Sequence, residues 1–163
     1  MRSLLRFPEK TMVKRVVSLD VGMKFVGVAA TDLTWNFPVI IGTLKRKDSI
    51  NDDIARLREM LDFDIAAFAV GHPLRANGEE GTFMPVVRGF ERRLKEIFEN
   101  IPFFGVDEFR SSEEALEIKK VNMRNYRAKK QSGVIDSAAA AVILERFMET
   151  ADFKKLKKEC MEI

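Results

Sequence analysis

The chain reads as an α/β protein in which helices pack on a mixed, five-stranded sheet, and three observations predict this. Two runs rich in β-branched residues, 14–21 (KRVVSLDV) and 25–30 (FVGVAA), flank a short break at Gly22, as the arms of a hairpin do. The run 65–70 (IAAFAV) is apolar throughout, has the length of a strand, and stops at Gly71 and Pro73. That is the pattern of a parallel strand covered on both faces. Between and after these runs, apolar residues recur at intervals of three and four, which is the period of helices laid on a sheet.

The elements follow in order. Residues 38–44 (PVIIGTL) predict a third strand that ends in the charged cluster 45–48, and Ser49 then offers a helix cap. Ile50, Ile54, Leu57 and Leu61 share one face of a first helix over 50–61. After strand 65–70 and a loop over 75–81, Val87, Phe90, Leu94, Ile97 and Phe98 mark a second helix within 84–98. Residues 101–106 (IPFFGV) predict the last strand, and Ser111 or Ser112 before Glu113 and Glu114 predicts a capped helix start. A final helix is expected from Asp136 to Met148. A single domain over 13–150 is expected, with 1–12 an extension and 151–163 a basic tail whose KKLKK run is solvated.

Composition narrows the classes of function. With 46% hydrophobic and 33% charged residues among 163, the chain can bury a real core. No apolar run approaches the ~18 residues that a membrane span needs. Residues 1–10 lack the continuous apolar centre of a secretory leader. Cys160 is the sole cysteine, so neither an intramolecular disulfide nor a cysteine zinc site can form, and a cytoplasmic location is expected. Net charge is only +3, but residues 119–130 (KKVNMRNYRAKK) hold six basic residues, no acid, and Tyr126 among them. Such a stretch suits phosphate contacts with an aromatic for base stacking, or it is a solvated loop.

In sheets of this kind ligands are handled at the carboxyl ends of the parallel strands. There stand Asp20, His72 and the pair Asp107 and Glu108. Asp136 supplies a further carboxylate. Ala139, Ala140, Ile143 and Phe147 follow it at offsets of three, four, seven and eleven, so Asp136 opens the stripe that faces the sheet. A plain helix cap is the structural alternative, although a cap need not lie on that stripe. Carboxylates gathered in one place repel one another unless a cation is present, and Mg²⁺ or Mn²⁺ suits their hard oxygens.

Together these residues resemble the YqgF (RuvX) family. SLDVGMKFVGVAATD is similar to its opening Asp-x-Gly-x-Lys-Arg-Ile-Gly-Val-Ala pattern with a terminal Asp, and VGHPLRANGEEG to its Gly-x-Pro-Leu strand end. DEFRSSEEA resembles its Asp-Glu-Arg-x-Thr-Thr-x-Glu-Ala element, and IDSAAAAVIL its closing Asp-x-x-Ala-Ala helix. Four segments in the right order span nearly the whole chain. The resemblance implies a ribonuclease H-like fold, similar to that of RuvC-type Holliday junction resolvases. It also implies a nuclease acting on ribosomal RNA precursor or branched DNA, and a resolvase acting on a symmetric junction is expected to be a homodimer. Carried over residue by residue, it makes Asp20, Glu108 and Asp136 the catalytic metal ligands, with Asp107 a possible additional acid. Strand neighbours face opposite ways, and the pattern favours Glu108. Nucleic acid would meet Lys24, Arg110, Lys119, Lys120, Arg124, Tyr126, Arg127, Lys129 and Lys130. Two departures stand out: Phe25 replaces the arginine expected after Lys24, and Phe109 the one expected after Glu108.

Other residues invite roles that the sequence argues against. His72 is the sole histidine, and packing explains it better than general-base chemistry. Asp32 closes the second strand at the far end of the hairpin from Asp20, where a turn role is expected. Trp35 and Phe37 are expected to pack near the hairpin base. Asp-x-Gly at a hairpin also opens the phosphate loop of actin-like ATPases, but one lobe without a second Asp-x-Gly counts against that class. A non-catalytic nucleic-acid-binding module on the same fold is the remaining alternative.

Overall fold

The computed structural model describes residues 13–75, 77–107 and 134–161. The expected extension 1–12, the helix start at Ser111 or Ser112, and Glu108, Phe109, Arg110 and the basic segment 119–130 lie outside the described residues. Five strands form one sheet: β1 (Arg15–Val21), β2 (Phe25–Thr31), β3 (Pro38–Lys45), β4 (Ile65–His72) and β5 (Phe103–Asp107). Their spatial order is β3-β2-β1-β4-β5. β1 pairs antiparallel with β2 and β2 with β3, whereas β4 runs parallel to both β1 and β5. This is the mixed sheet of the ribonuclease H-like fold. Helices α1 (Ile50–Met60), α2 (Met84–Ile97), α3 (Val134–Met148) and α4 (Ala151–Met161) flank it.

Strand alternation sorts the core into two layers. Val17, Leu19, Val21, Val26, Val28, Phe68 and Val70 pack with Ile54 and Leu57 of α1 and Val87, Phe90 and Leu94 of α2. On the opposite face, Val16, Ala29, Ala67, Ala69 and Val106 meet Ala140, Ile143, Leu144 and Phe147 of α3. Sheet residues on that second face are mostly small, which lets α3 approach the strands closely. Ser18 makes the same point, because its buried hydroxyl donates to the Ala140 carbonyl at 2.7 Å. Ser49 caps α1 as expected, accepting the Asp52 N–H at 3.4 Å, and Asp52 and Asp53 occupy the favourable first turn.

Three expectations need correction. The KKLKK run is no solvated tail, for it lies in α4, where Phe153 is buried against Trp35 and Phe147. Lys157 in the same run donates to the Trp35 carbonyl at 3.1 Å and the Asn36 side chain at 2.8 Å. Trp35 packs as expected and donates its indole N–H to the Lys14 carbonyl at 2.8 Å, but Phe37 is 67% exposed. The chain reverses at Trp35, which takes a left-handed φ of 57°, and Phe37 leaves that turn facing water. Finally, α3 reaches back to Val134, so Asp136 stands within its first turn and not at a cap position before the helix.

Asp32 holds that turn together, as its place at the end of β2 suggested. Its carboxylate accepts the N–H groups of Thr34, Asn36 and Phe37 at 3.2, 2.8 and 2.9 Å and the Thr34 hydroxyl. Slight burial pushes the carboxyl up, but these four donors outweigh it and hold it down at about 2. A depressed carboxyl stabilises the fold above the unfolded value of about 3.9, and that contribution is lost as pH falls through about 2. Asp32→Asn is therefore expected to melt below the parent chain at neutral pH, the gap closing as pH approaches 2. Melting curves taken across that range check it, and a gap independent of pH would show that the charge of Asp32 does not matter.

Candidate active site

Phase along β1 decides where Asp20 points. Val16 and Ser18 face α3, so Asp20, two residues on, shares that face at the carboxyl end of the strand. Across the hairpin its register partner is Gly27. The first turn of α3 sits directly on that glycine. A Cβ there would overlap the backbone carbonyl of Asp136 and stand 2.7 Å from the Ser137 nitrogen. Helix α3 thus brings Asp136 over the residue that pairs with Asp20. The Asp136 carboxylate leans toward the β1–β2 turn, with Oδ1 3.9 Å from the place a Cβ on Gly22 would occupy. Both acids are half-buried.

The structure therefore brings together Asp20 and Asp136, two of the three acids expected from the sequence; Glu108 lies outside the described residues. Asp107 follows the other phase. Phe104 and Val106 face α3, whereas Phe103 packs with the α1/α2 core and Gly105 lies beneath the His72 ring. Asp107 matches those latter two and is exposed, and its backbone carbonyl accepts Arg146 Nη1 at 2.8 Å. Among the described residues no three His, Cys, Asp or Glu side chains cluster closely enough to hold an ion. The described pair still fits a hard divalent cation in kind. It offers oxygen donors, and glycines at 22 and 27 keep side-chain bulk away from them.

His72 lies across the sheet from this pair. Its ring packs over Gly105, and Nε2 stands 3.0 Å from Glu91 Oε2 on α2, whose other oxygen takes Lys95 Nζ at 3.0 Å. The His72 hydrogen bond holds the Glu91 carboxyl below its usual range against the opposing effect of burial, with help from Lys95. This is the packing role expected of the histidine. Lys24 is exposed in the β1–β2 turn, and Phe25, where an arginine was expected, is half-buried and pairs in register with Lys45 of β3. Sequence reasoning passed over Arg46, which follows Lys45 and reaches the same turn: its Nη1 donates to the Gly22 carbonyl at 3.0 Å. A charged cluster directly after a strand was the available signal, and it read as a strand terminator.

A mixed sheet in this order, with one acid near the end of its first strand and another in the first turn of the helix that rests on the neighbouring strand, is a ribonuclease H-like arrangement. The RuvX family, described as Holliday junction resolvase, matches residues 14–150, and the chain belongs to it. Among similar proteins is the "Putative pre-16S rRNA nuclease" of Chlorobium luteolum, 32% identical over 83% of this chain and 94% of that protein. The protein of the same name from Thermoanaerobacter pseudethanolicus is 32% identical over 83% of this chain and 96% of its own length. Among solved structures, T. thermophilus RuvC in complex with Holliday junction substrate superposes with a TM-score of 0.48. It is 17% identical and covers 84% of this chain and 97% of that chain.

Proposed function

We propose that the chain is a metal-dependent nuclease that hydrolyses phosphodiester bonds in structured nucleic acid, with the precursor of small-subunit ribosomal RNA as its substrate. One observation carries the reading: Asp20 pairs in register with Gly27, and Asp136, from far along the chain, is set over that same glycine. Membership of the RuvX family and the names of the relatives give that juxtaposition its chemistry. Asp20, Asp136 and Glu108 would hold Mg²⁺ or Mn²⁺, and the phase of Asp107 argues for its neighbour as the third ligand. Ions held there would activate the attacking water and offset charge on the leaving oxygen. The protein's own part is to orient the phosphate. Lys24 stands exposed beside the acids, and Arg110 and the segment 119–130 add cations and Tyr126 for the flanking strand.

Incubating the protein with precursor RNA and with a four-way DNA junction, in Mg²⁺ or in chelator, tests this. Cleavage of the RNA in Mg²⁺ alone is expected. Cutting of the junction alone would make branched DNA the substrate, and a dimer mass in solution would fit that outcome, since paired cuts need two sites. Phe25 and Phe109 at arginine positions favour a second reading, a binding module without catalysis. Binding of both nucleic acids with cleavage of neither would establish that alternative. No described helix is long and apolar enough to cross a membrane, and a cytoplasmic site of action is part of the proposal.

A further expectation concerns affinity. Neutralising Lys119, Lys120, Arg124, Arg127, Lys129 and Lys130 together should weaken binding to nucleic acid of any sequence. The slope of log affinity against log salt should drop by up to about one for each charge that meets a phosphate. Binding isotherms at several salt concentrations measure it, and an unchanged slope would mean that the segment does not touch the backbone.

A further inference from the structure

The β1–β2 turn is gripped from both faces of the sheet. From the α3 side Asp136 leans over Gly22. From the α1/α2 side comes Arg46, the residue that follows β3. Its backbone N–H donates to the Lys24 carbonyl at 2.7 Å and its Nη1 to the Gly22 carbonyl at 3.0 Å. The guanidinium lies over the Phe90 ring, 5.3 Å from its centre, and its Nε meets Asp53 Oδ2 at 3.3 Å. Asp53 has 0% of its side chain exposed. Its Oδ1 also accepts the Lys47 N–H at 2.8 Å and Arg56 Nη2 at 2.6 Å.

Burying a carboxylate so completely is unfavourable unless donors satisfy it, and Asp53 has donors from three residues. Two of them, Arg46 and Arg56, are cations, yet their onward reach differs. The rigid fork of Arg46 spans from Asp53 to the Gly22 carbonyl and so couples helix α1 to the turn beside the acid pair. Arg56 belongs to α1 itself and, among the described residues, bonds Asp53 and not that turn.

We infer that Arg46, locked by Asp53, is a positioning residue for the acid pair. Through the Gly22 carbonyl it sets the height of the β1–β2 turn, and with it the spacing of Asp20 from Asp136 and the presentation of Lys24. The inference rests on reading that pair as a divalent-cation site. Supporting residues of this kind typically change metal affinity by about 10–100-fold when removed.

Titration of the whole chain with Mn²⁺ alone, followed by loss of the free-ion electron paramagnetic resonance signal, tests it without reference to cleavage. Binding by the parent chain should vanish in Asp20→Asn, which anchors the readout to the site. Arg46→Met should then bind Mn²⁺ roughly 10–100-fold more weakly. Arg56→Met, which also strips a cation from Asp53 but leaves the turn untouched, should bind like the parent. Both arginine variants should melt at lower temperature, so stability alone does not separate them and affinity does. If Arg46→Met does not fold, Arg46→Lys replaces it, because a single ammonium cannot span Asp53 and Gly22 at once and the same direction of loss is expected. Equal affinities for the Arg46 and Arg56 variants would overturn the positioning role while leaving the cation site standing. A parent chain that binds no Mn²⁺ would overturn both.

Discussion

Asp20→Asn is expected to lower metal-dependent cleavage by at least about 10²–10³-fold while the protein still folds and still binds nucleic acid. Asparagine keeps the size and hydrogen-bonding outline of aspartate and removes the charge that holds the ion. The loss therefore falls on stabilisation of the transition state and not on packing. Asp20 stands half-buried one residue before the end of β1, so the change does not open a cavity in either core layer. If nucleic acid is held by the cations proposed above, binding should survive. Without metal, removing one of two neighbouring negative charges relieves repulsion, an effect on the order of 1 kcal/mol for partly solvated groups. Asp136→Asn should behave in the same way. The matched comparison is Asp32→Asn. Asp32 lies five residues beyond Gly27, roughly 16 Å along the strand at ~3.3 Å per residue, and its partners belong to the β2–β3 turn. That variant should cut like the parent. If Asp20→Asn also cuts like the parent, Asp20 is not a metal ligand and the nuclease reading loses its centre.

The sequence made the strands and the long helices legible because each has a period of its own. The apolar run 65–70 could be little else than a strand covered on both faces, and it became the first six residues of β4, which is flanked by β1 and β5. Phase singled out Asp136, and the residues at offsets three, four, seven and eleven from it are buried, but so are those at one, two, six and eight, because the helix is covered on more than one face. What period does not carry is depth. Nothing in the spacing of α3 says that its backbone comes within contact of β2, and Gly27 reads as one small residue in a β-branched strand until the helix is seen to rest on it.

The misses share a physical cause, which is partnership across the fold. KKLKK looks solvated because four of its five residues are lysines, and the face formed by Phe153, Leu156 and Cys160 at offsets of three and seven is thin. A local signal did exist: Thr150 precedes the helix, and its hydroxyl accepts the Phe153 N–H at 3.2 Å, as an N-cap does. Arg46 had only the charged cluster 45–48 as a local signal, which does not single it out, and Gly22 and Asp53 reach it only when β3 and α1 are placed. Phe37 failed in the opposite sense, because an aromatic beside a buried tryptophan suggests a shared core and the left-handed turn at Trp35 separates them.

Gly27→Ala should be strongly destabilising, costing about 3 kcal/mol or more. Replacing glycine by alanine in a strand ordinarily helps by roughly 0.5–1 kcal/mol, because it removes freedom from the unfolded chain. Here the sign reverses. The added Cβ would overlap the Asp136 carbonyl and come within 2.7 Å of the Ser137 nitrogen, and both are backbone, so no side chain can swing aside. Strand β2 cannot retreat, since β1 and β3 hold it on either side. Relief requires α3 to lift from the sheet, which disturbs the packing of Ala140, Ile143, Leu144 and Phe147 and moves Asp136 away from Asp20. Gly89→Ala supplies the contrast, because Gly89 lies inside α2 with nothing within 4 Å of a new Cβ. That change should stabilise by roughly 0.5–1 kcal/mol through helix propensity. Urea unfolding of the two variants beside the parent measures both signs. If Gly27→Ala unfolds at the parent's midpoint, α3 does not rest on β2 at this position, and the meeting of Asp20 with Asp136 goes with it.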